Sequence, residues 1–281
     1  MEYQGNTVAI LLATYNGAKF IKDQLNSIIN QSYKDWVVYI SDDGSTDNTI
    51  EIINIYVAQY PLKFIVCDSE MKHRGAAKNF LWLLKNVSAK YYMFCDQDDV
   101  WVPNKIEDSL RTLKEFEVSN PDVPILVHTD LTVVDVELKV ISNSMWDYID
   151  IRKCIGKYEY YKLYNVATGC TMLFNHFAKM TLPNVLINKN VLMHDYYILL
   201  HVLKNKGVIH ALPISTVLYR QHGNNTLGAI RYNSSVFYYI KSLFTIIKNN
   251  YKSFMFVKSI CGFSLFEYIK LKLRKLTSLH S

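Results

Sequence analysis

Tyr91-Tyr92-Met93-Phe94-Cys95-Asp96-Gln97-Asp98-Asp99-Val100-Trp101 joins five mostly apolar residues to a turn carrying three carboxylates. An apolar run of that length reads as a buried strand. Burying several like charges at its end is costly unless a cation neutralises them. A hard divalent ion, Mg²⁺ or Mn²⁺, suits oxygen ligands and commonly shares its shell with phosphates. The stretch therefore points to a metal-diphosphate site at the carboxyl end of a central strand, where open α/β sheets place ligands. The plainer alternative is an acidic turn capping a helix that starts near Pro103.

Upstream of it, strands and helices alternate. Thr7–Ala13 is a continuous apolar run, as in a parallel strand covered on both faces. Thr14-Tyr15-Asn16-Gly17 breaks it, and Phe20, Ile21, Leu25, Ile28 and Ile29 then recur on one helical face. Trp36–Ile40 reads as a second strand, ending in Ser41-Asp42-Asp43-Gly44-Ser45-Thr46-Asp47 before a helix over roughly 48–59. Lys63–Cys67 makes a third strand, Gly75–Lys85 a third helix and Tyr91–Cys95 the fourth strand. This order calls for a doubly wound, mostly parallel sheet flanked by helices. The loops carrying Asp42/Asp43 and Asp96/Asp98/Asp99 then share one sheet edge and face one cleft. There is no G-x-G-x-x-G after the first strand and no G-x-x-x-x-G-K-[ST], which argues against dinucleotide oxidoreductases and P-loop enzymes.

A chain of 281 residues, half of them apolar, allows one large domain with a sizeable core. The five cysteines show no paired spacing and read as reduced residues of a cytosolic protein. Neither a signal peptide nor an apolar run of membrane-spanning length is visible. The net charge of +6 is unevenly spread: from Arg231 onward nine basic residues face one acidic, leaving 22 against 24 in residues 1–230. In that tail Val236, Phe237, Ile240, Leu243, Phe244 and Ile247, then Phe266, Ile269, Leu273 and Leu276, recur at helical spacing among lysines. Such basic amphipathic helices suit an anionic membrane surface; a helix pair closing a homo-oligomer is the other use. A nucleic-acid partner is not expected, because no binding motif accompanies the charge.

The three motifs together, Thr14-Tyr15-Asn16, Asp42–Asp47 and Asp96-Gln97-Asp98-Asp99, resemble those of the family 2 glycosyltransferases with the nucleotide-diphospho-sugar transferase (GT-A) fold. The spelling Asp-Gln-Asp-Asp-Val-Trp, with Met193-His194-Asp195-Tyr196 and Tyr219-Arg220-Gln221-His222 later, is similar to the bacterial rhamnosyltransferase-like branch, which builds capsule, O-antigen or cell-wall polysaccharide. The resemblance covers about residues 7–225. It implies a GT-A domain over 1–230, with a nucleotide-sugar half to about 100 and an acceptor half beyond, followed by the helical extension 231–281.

The resemblance also implies roles. Thr14, Tyr15 and Asn16 line the nucleotide pocket; Asp42 or Asp43 holds the base or ribose; Arg74, Asn79, Asp96 and Gln97 approach the donor. Arg74 reads equally well as a solvated charge. Asp96 and Asp98 form the D-x-D motif that binds Mn²⁺ or Mg²⁺, with His222 completing the metal shell. Asp99, Trp101, Gly169, Cys170 and His194 fall on the acceptor side. Asp195 would be the base that takes the acceptor's proton, although a carboxylate at a helix start is by default a cap.

The implied reaction is inverting transfer of a sugar, from dTDP-L-rhamnose, to a saccharide or lipid-linked saccharide at the inner face of the cell membrane. A UDP-hexose or UDP-N-acetylhexosamine donor is the alternative. A haloacid-dehalogenase-like phosphatase, with Asp96 as nucleophile and Asp98 as acid/base, is the rival chemistry. It carries its motif on the first strand, whereas three strand-helix units come first here.

Overall fold

The computed structural model describes residues 7–67, 72, 74–183, 191–223 and 236–278, the last stretch with side chains over 249–274. The expected alternation is present: β1 (Val8–Thr14), α1 (Ile21–Ile29), β2 (Trp36–Asp42), α2 (Thr49–Gln59), β3 (Phe64–Val66), α3 (Ala76–Asn86) and β4 (Tyr91–Cys95). β5 (Val100–Trp101), α4 (Lys105–Ser119), β6 (Ile125–Val134), β7 (Val140–Ser142) and α5 (Met145–Tyr148) follow. After a stretch of short 3₁₀ turns come β8 (Met172–Asn175), α6 (His176–Met180), α7 (His194–Lys204), β9 (Val208–Arg220), α8 (Val236–Cys261) and α9 (Leu265–Ser278).

The strands form one sheet in the order β3-β2-β1-β4-β8-β6-β9-β5, with β7 paired to β6. β3, β2, β1 and β4 are mutually parallel; β8 is antiparallel to both β4 and β6; β9 runs parallel to β6. Hence β1, β2, β4, β6 and β9 all end at the same edge. Side-chain alternation sorts the core onto two faces. Ala9, Leu11, Tyr92 and Phe94 pack with α3, α7 and α8, while Val8, Ile10, Leu12, Tyr91 and Met93 pack with α1, α2 and α4. β1 is apolar throughout because it is covered on both sides.

β9 contains Pro213, which the register slip between Thr129↔Leu212 and Asp130↔Ser215 accommodates as a bulge. Two sequence expectations shift. Phe20 lies outside α1, so its ring is not part of that helix's buried face. Val100–Trp101 is a short strand against β9, not merely a lead-in to a helix. The boundary expected at 230/231 and the stripe expected over 236–247 with Leu276 lie outside the residues whose side chains are described.

Candidate active site

A cavity of about 650 Å³ opens where β1, β2 and β4 end, well within the size of small-ligand sites. Its lining includes nine of the expected site residues: Thr14, Tyr15, Asn16, Asp43, Asn79, Asp96, Gln97, Asp98 and His222. Gly17, Lys19, Phe20 and Phe80 join them, residues that the sequence reading did not single out as site residues.

The loops forming this cavity are tied to each other before any ligand arrives. Asp42 accepts from Thr14 Oγ1 (2.8 Å), from the Gly44 and Ser45 amides (2.9 and 2.8 Å) and from Ser45 Oγ (2.5 Å). Its carboxylate is therefore consumed in shaping the turn, and Asp42 is absent from the lining. Asp43 is the member of the pair that faces the cavity. It accepts from the Arg74 and Gly75 amides at 3.0 and 2.8 Å, anchoring the entry to α3. Arg74 is neither a solvated charge nor a lining residue: its guanidinium donates to Asn79 Oδ1 (2.7 Å) and Ser41 Oγ (3.1 Å) and stacks over Trp82. Asn16 joins the first two loops, taking the Thr46 amide on its side chain and giving its own amide to Ser45 Oγ, both at 2.8 Å. The Tyr15 ring stands half exposed at the rim.

The D-x-D turn is held from two directions. Gln97 exchanges a pair of 2.9 Å hydrogen bonds with the backbone N–H and C=O of Tyr15. A Cβ on Gly17 would lie 2.2 Å from Gln97 Oε1, so this close approach requires glycine. On the other side, His222 Nε2 lies 2.7 Å from Asp98 Oδ2. Arg220, almost wholly buried, donates through Nε to the Asp98 carbonyl (2.9 Å), through Nη2 to Asp23 (2.9 Å) and through its amide to Asp99 Oδ1 (3.2 Å). The Phe20 ring lies against both the Arg220 guanidinium (4.6 Å) and the His222 imidazole (4.9 Å). Arg220 is thus a structural clamp hidden inside the Tyr-Arg-Gln-His motif.

Burial, reinforced by the charges of Asp98 and Asp195, pushes the Asp96 carboxyl up to about 8. A carboxylate so disfavoured as an anion, beside a second carboxylate and an imidazole, is what a divalent cation corrects. Asp96, Asp98 and His222 supply oxygen and nitrogen donors that fit Mn²⁺ and, less specifically, Mg²⁺. Among the described residues it is Asp96, Asp99 and Cys170, not Asp96, Asp98 and His222, whose ligand atoms all lie within 4.8 Å of one another. That grouping is a poor cation site: burial keeps the Cys170 thiol protonated, and the fully buried Lys105 already brings positive charge to Asp99 and Cys170.

Neither the expected acceptor-side residues nor Asp195, the expected base, line the cavity. Trp101 is a core residue, 2% exposed, with Lys105 Nζ 4.8 Å from its ring centroid. Cys170 and Asp99 are fully buried beneath the D-x-D turn. His194 stacks on Phe80 at 4.0 Å and meets Phe94 edge-on at 4.6 Å; burial pushes its pKa down to about 3, so it stays neutral. Asp195, at the first turn of α7, accepts from the Gly169 amide (3.0 Å) and from the Tyr196 amide (2.6 Å). Desolvation nonetheless pushes its carboxyl up to about 6, within the range of a useful general base.

Residues 9–179 match the sequence profile of Glycosyl transferase family 2. The chain is 30% identical over 226 residues to the dTDP-rhamnosyl transferase RfbG of Shigella flexneri, covering 78% of this chain and 74% of that protein. It is 25% identical over 208 residues to the Escherichia coli UDP-Glc:alpha-D-GlcNAc-diphosphoundecaprenol beta-1,3-glucosyltransferase WfgD, covering 72% and 71%. Among solved structures it resembles S. aureus TarS 1-349 in complex with UDP-GlcNAc (TM-score 0.59, 18% identity, 86% of this chain and 66% of that one). It also resembles the mannosyltransferase PcManGT from Pyrobaculum calidifontis in complex with GDP-Man and Mn2+ (TM-score 0.59, 16% identity, 97% and 80%). The chain spans 60% of the TarS 1-349 structure without a named ligand. The structural likenesses establish the GT-A fold, and the profile match over most of the chain makes this protein a member of glycosyl transferase family 2 and a glycosyltransferase.

Proposed function

We propose that this enzyme transfers L-rhamnose from dTDP-L-rhamnose, with inversion, to a saccharide or lipid-linked saccharide acceptor in the assembly of a bacterial surface polysaccharide. The observation that carries the reading is the cavity itself: it runs from the Tyr15 rim past Asp43 to Asp96, Asp98 and His222, and Asp96 senses the charge of Asp195. The similarity to a dTDP-rhamnosyl transferase supports the donor, and the diphosphoundecaprenol in the name of WfgD supports a lipid-linked acceptor. A UDP-sugar donor is the second reading, favoured by the UDP-Glc in that same name.

The half-exposed Tyr15 ring offers a face for the base, and Asp43 offers oxygens for the nucleoside. Asp96, Asp98 and His222 would hold Mn²⁺ or Mg²⁺, whose charge offsets that of the departing diphosphate. Asp195 takes the proton of the acceptor hydroxyl as its oxygen bonds to the sugar C1, and the C1–O bond to the diphosphate breaks on the opposite face. Asp42, Arg74, Gln97 and Arg220 position these groups without touching the reacting atoms. The phosphatase alternative leaves Asp43, Asp195 and His222 without a role.

We further assign residues 1–230 to the catalytic domain and 231–281 to an extension that keeps the enzyme peripherally at the inner membrane face. No helix among the described residues is long and apolar enough to cross a membrane. Thermal-shift titration with a panel of nucleotide-sugars, each with and without Mn²⁺, tests the donor and the metal together. A metal-dependent shift with dTDP-L-rhamnose is expected, and it should vanish in Asp98→Ala. A shift with UDP-sugars alone would transfer the assignment to the second reading, and shifts indifferent to metal would remove the cation site.

A further inference from the structure

α9 presents four large apolar residues outward. Leu265, Ile269 and Leu273 recur every fourth residue and Phe266 lies beside them, giving an apolar arc about 100° wide. These side chains are 56%, 48%, 58% and 75% exposed, respectively. The opposite face is what anchors the helix. Leu271 is buried, Tyr268 packs its ring 5.3 Å from Phe254, and Lys272 Nζ sits 4.7 Å above the Tyr164 ring. Large apolar side chains gathered on one exposed helical face mark an interaction surface.

The border of the arc beyond Phe266 is cationic, carrying Lys270 and Arg274. Glu267, the one acidic residue of α9, is engaged at the helix start, accepting from the amide and hydroxyl of Ser264 at 2.9 and 2.8 Å. We infer that this face of α9 docks on an anionic lipid bilayer, its apolar arc entering the headgroup boundary and its flanking cations meeting lipid phosphates. A second copy of the chain fits less well, because pairing two such arcs sets like-charged borders against each other.

The helix also lies on the acceptor side of the site. α8 packs on α7 through Phe256 and Tyr196, and the first turn of α7 carries Asp195. Tyr164, under Lys272, adjoins Asn165, whose side chain hydrogen-bonds Asp195. α9 is thus linked through its inner face to the residues that support Asp195. The docking rests on the lipid-linked acceptor proposed above for its purpose, though the binding itself needs no donor.

Sedimentation of the full chain with phosphatidylglycerol-containing vesicles, against phosphatidylcholine alone and without nucleotide-sugar, tests the inference. Wild type should bind the anionic vesicles at least about tenfold better, with the difference fading at high salt. The triple variant Phe266→Ser, Ile269→Ser, Leu273→Ser should lose on the order of tenfold or more while unfolding near the wild-type temperature, since those side chains are largely exposed. Lys270→Glu with Arg274→Glu should erase the lipid preference. Equal binding by wild type and the triple variant, or no vesicle binding at all, overturns the proposal. So does a wild-type dimer that the triple variant splits into monomers. Lost transferase activity with intact vesicle binding would instead count against the enzymatic reading alone.

Discussion

Replacing Gly169 with alanine would drive a methyl group to 2.7 Å from His194 Nε2 and 3.4 Å from the Asp195 Cβ. Comfortable contacts lie at about 3.5–4.0 Å, so roughly 0.8 Å or more must be absorbed. His194 cannot yield, because it is 2% exposed and wedged against Phe80 and Phe94. The displacement therefore falls on the loop. Overpacking of this kind costs about 1–3 kcal/mol, or a melting temperature lower by about 2–8 °C in a chain of this size. The moving loop takes with it the Gly169 amide that donates to Asp195 Oδ2 at 3.0 Å. Losing that bond raises the carboxyl pKa further and displaces the proposed base, and a shift of about 1 Å can cost about a hundredfold in rate. Transfer to a saccharide acceptor, measured by release of nucleoside diphosphate across pH, should show kcat down by about that factor. The acid limb should move upward while donor KM holds, since the donor cavity is lined by other residues. Turnover within threefold of wild type at an unchanged melting temperature would refute the reasoning.

Other outcomes follow from the same geometry. Desolvation raises Asp195 to about 6 from an ordinary 3.8, so kcat should fall about tenfold per pH unit below 6 and level off above it. The folded-state value is the higher one, so this group's contribution to stability is full below about pH 4 and fades towards pH 6. That amounts to about 3 kcal/mol and is readable in urea titrations of wild type against Asp195→Asn. Arg220→Met removes the clamp on Asp98 and Asp99. Half-saturating Mn²⁺, followed by the paramagnetic signal of the free ion, should rise about 10–100-fold, with no rescue by Arg220→Lys. Trp101→Ala should cost about 3–5 kcal/mol in denaturant unfolding, whereas Trp101→Phe leaves acceptor KM unchanged, because the indole is core.

The sequence was legible where strand and function share one signal. Val8–Thr14 and Tyr91–Cys95 are continuously apolar, being covered on both faces, and each ends abruptly in polar residues that can only sit at the sheet edge. What it hid was direction. Asp42 and Asp43 are chemically identical neighbours, yet one is spent inside its turn and the other faces the cavity. Trp101 and Cys170 stand next to functional positions in the chain but point into the core, a distinction that two-residue periodicity cannot make across a two-residue strand or a 3₁₀ turn. Phe20 fits a helical stripe by spacing and leaves it because the helix begins one residue later, freeing the ring for His222.

The amide of Gln97 has the same donor and acceptor as a peptide unit, and its two bonds to Tyr15 act as one more rung on the ladder joining β1 to β4. A side chain here does the work of main chain. The letter between the two aspartates is therefore not a free variable in this protein: glutamate in its place could accept but not donate, and would open the rung. Anyone grafting a different turn onto this scaffold would have to move positions 15, 17 and 97 as a cassette, because the three hold one another in place.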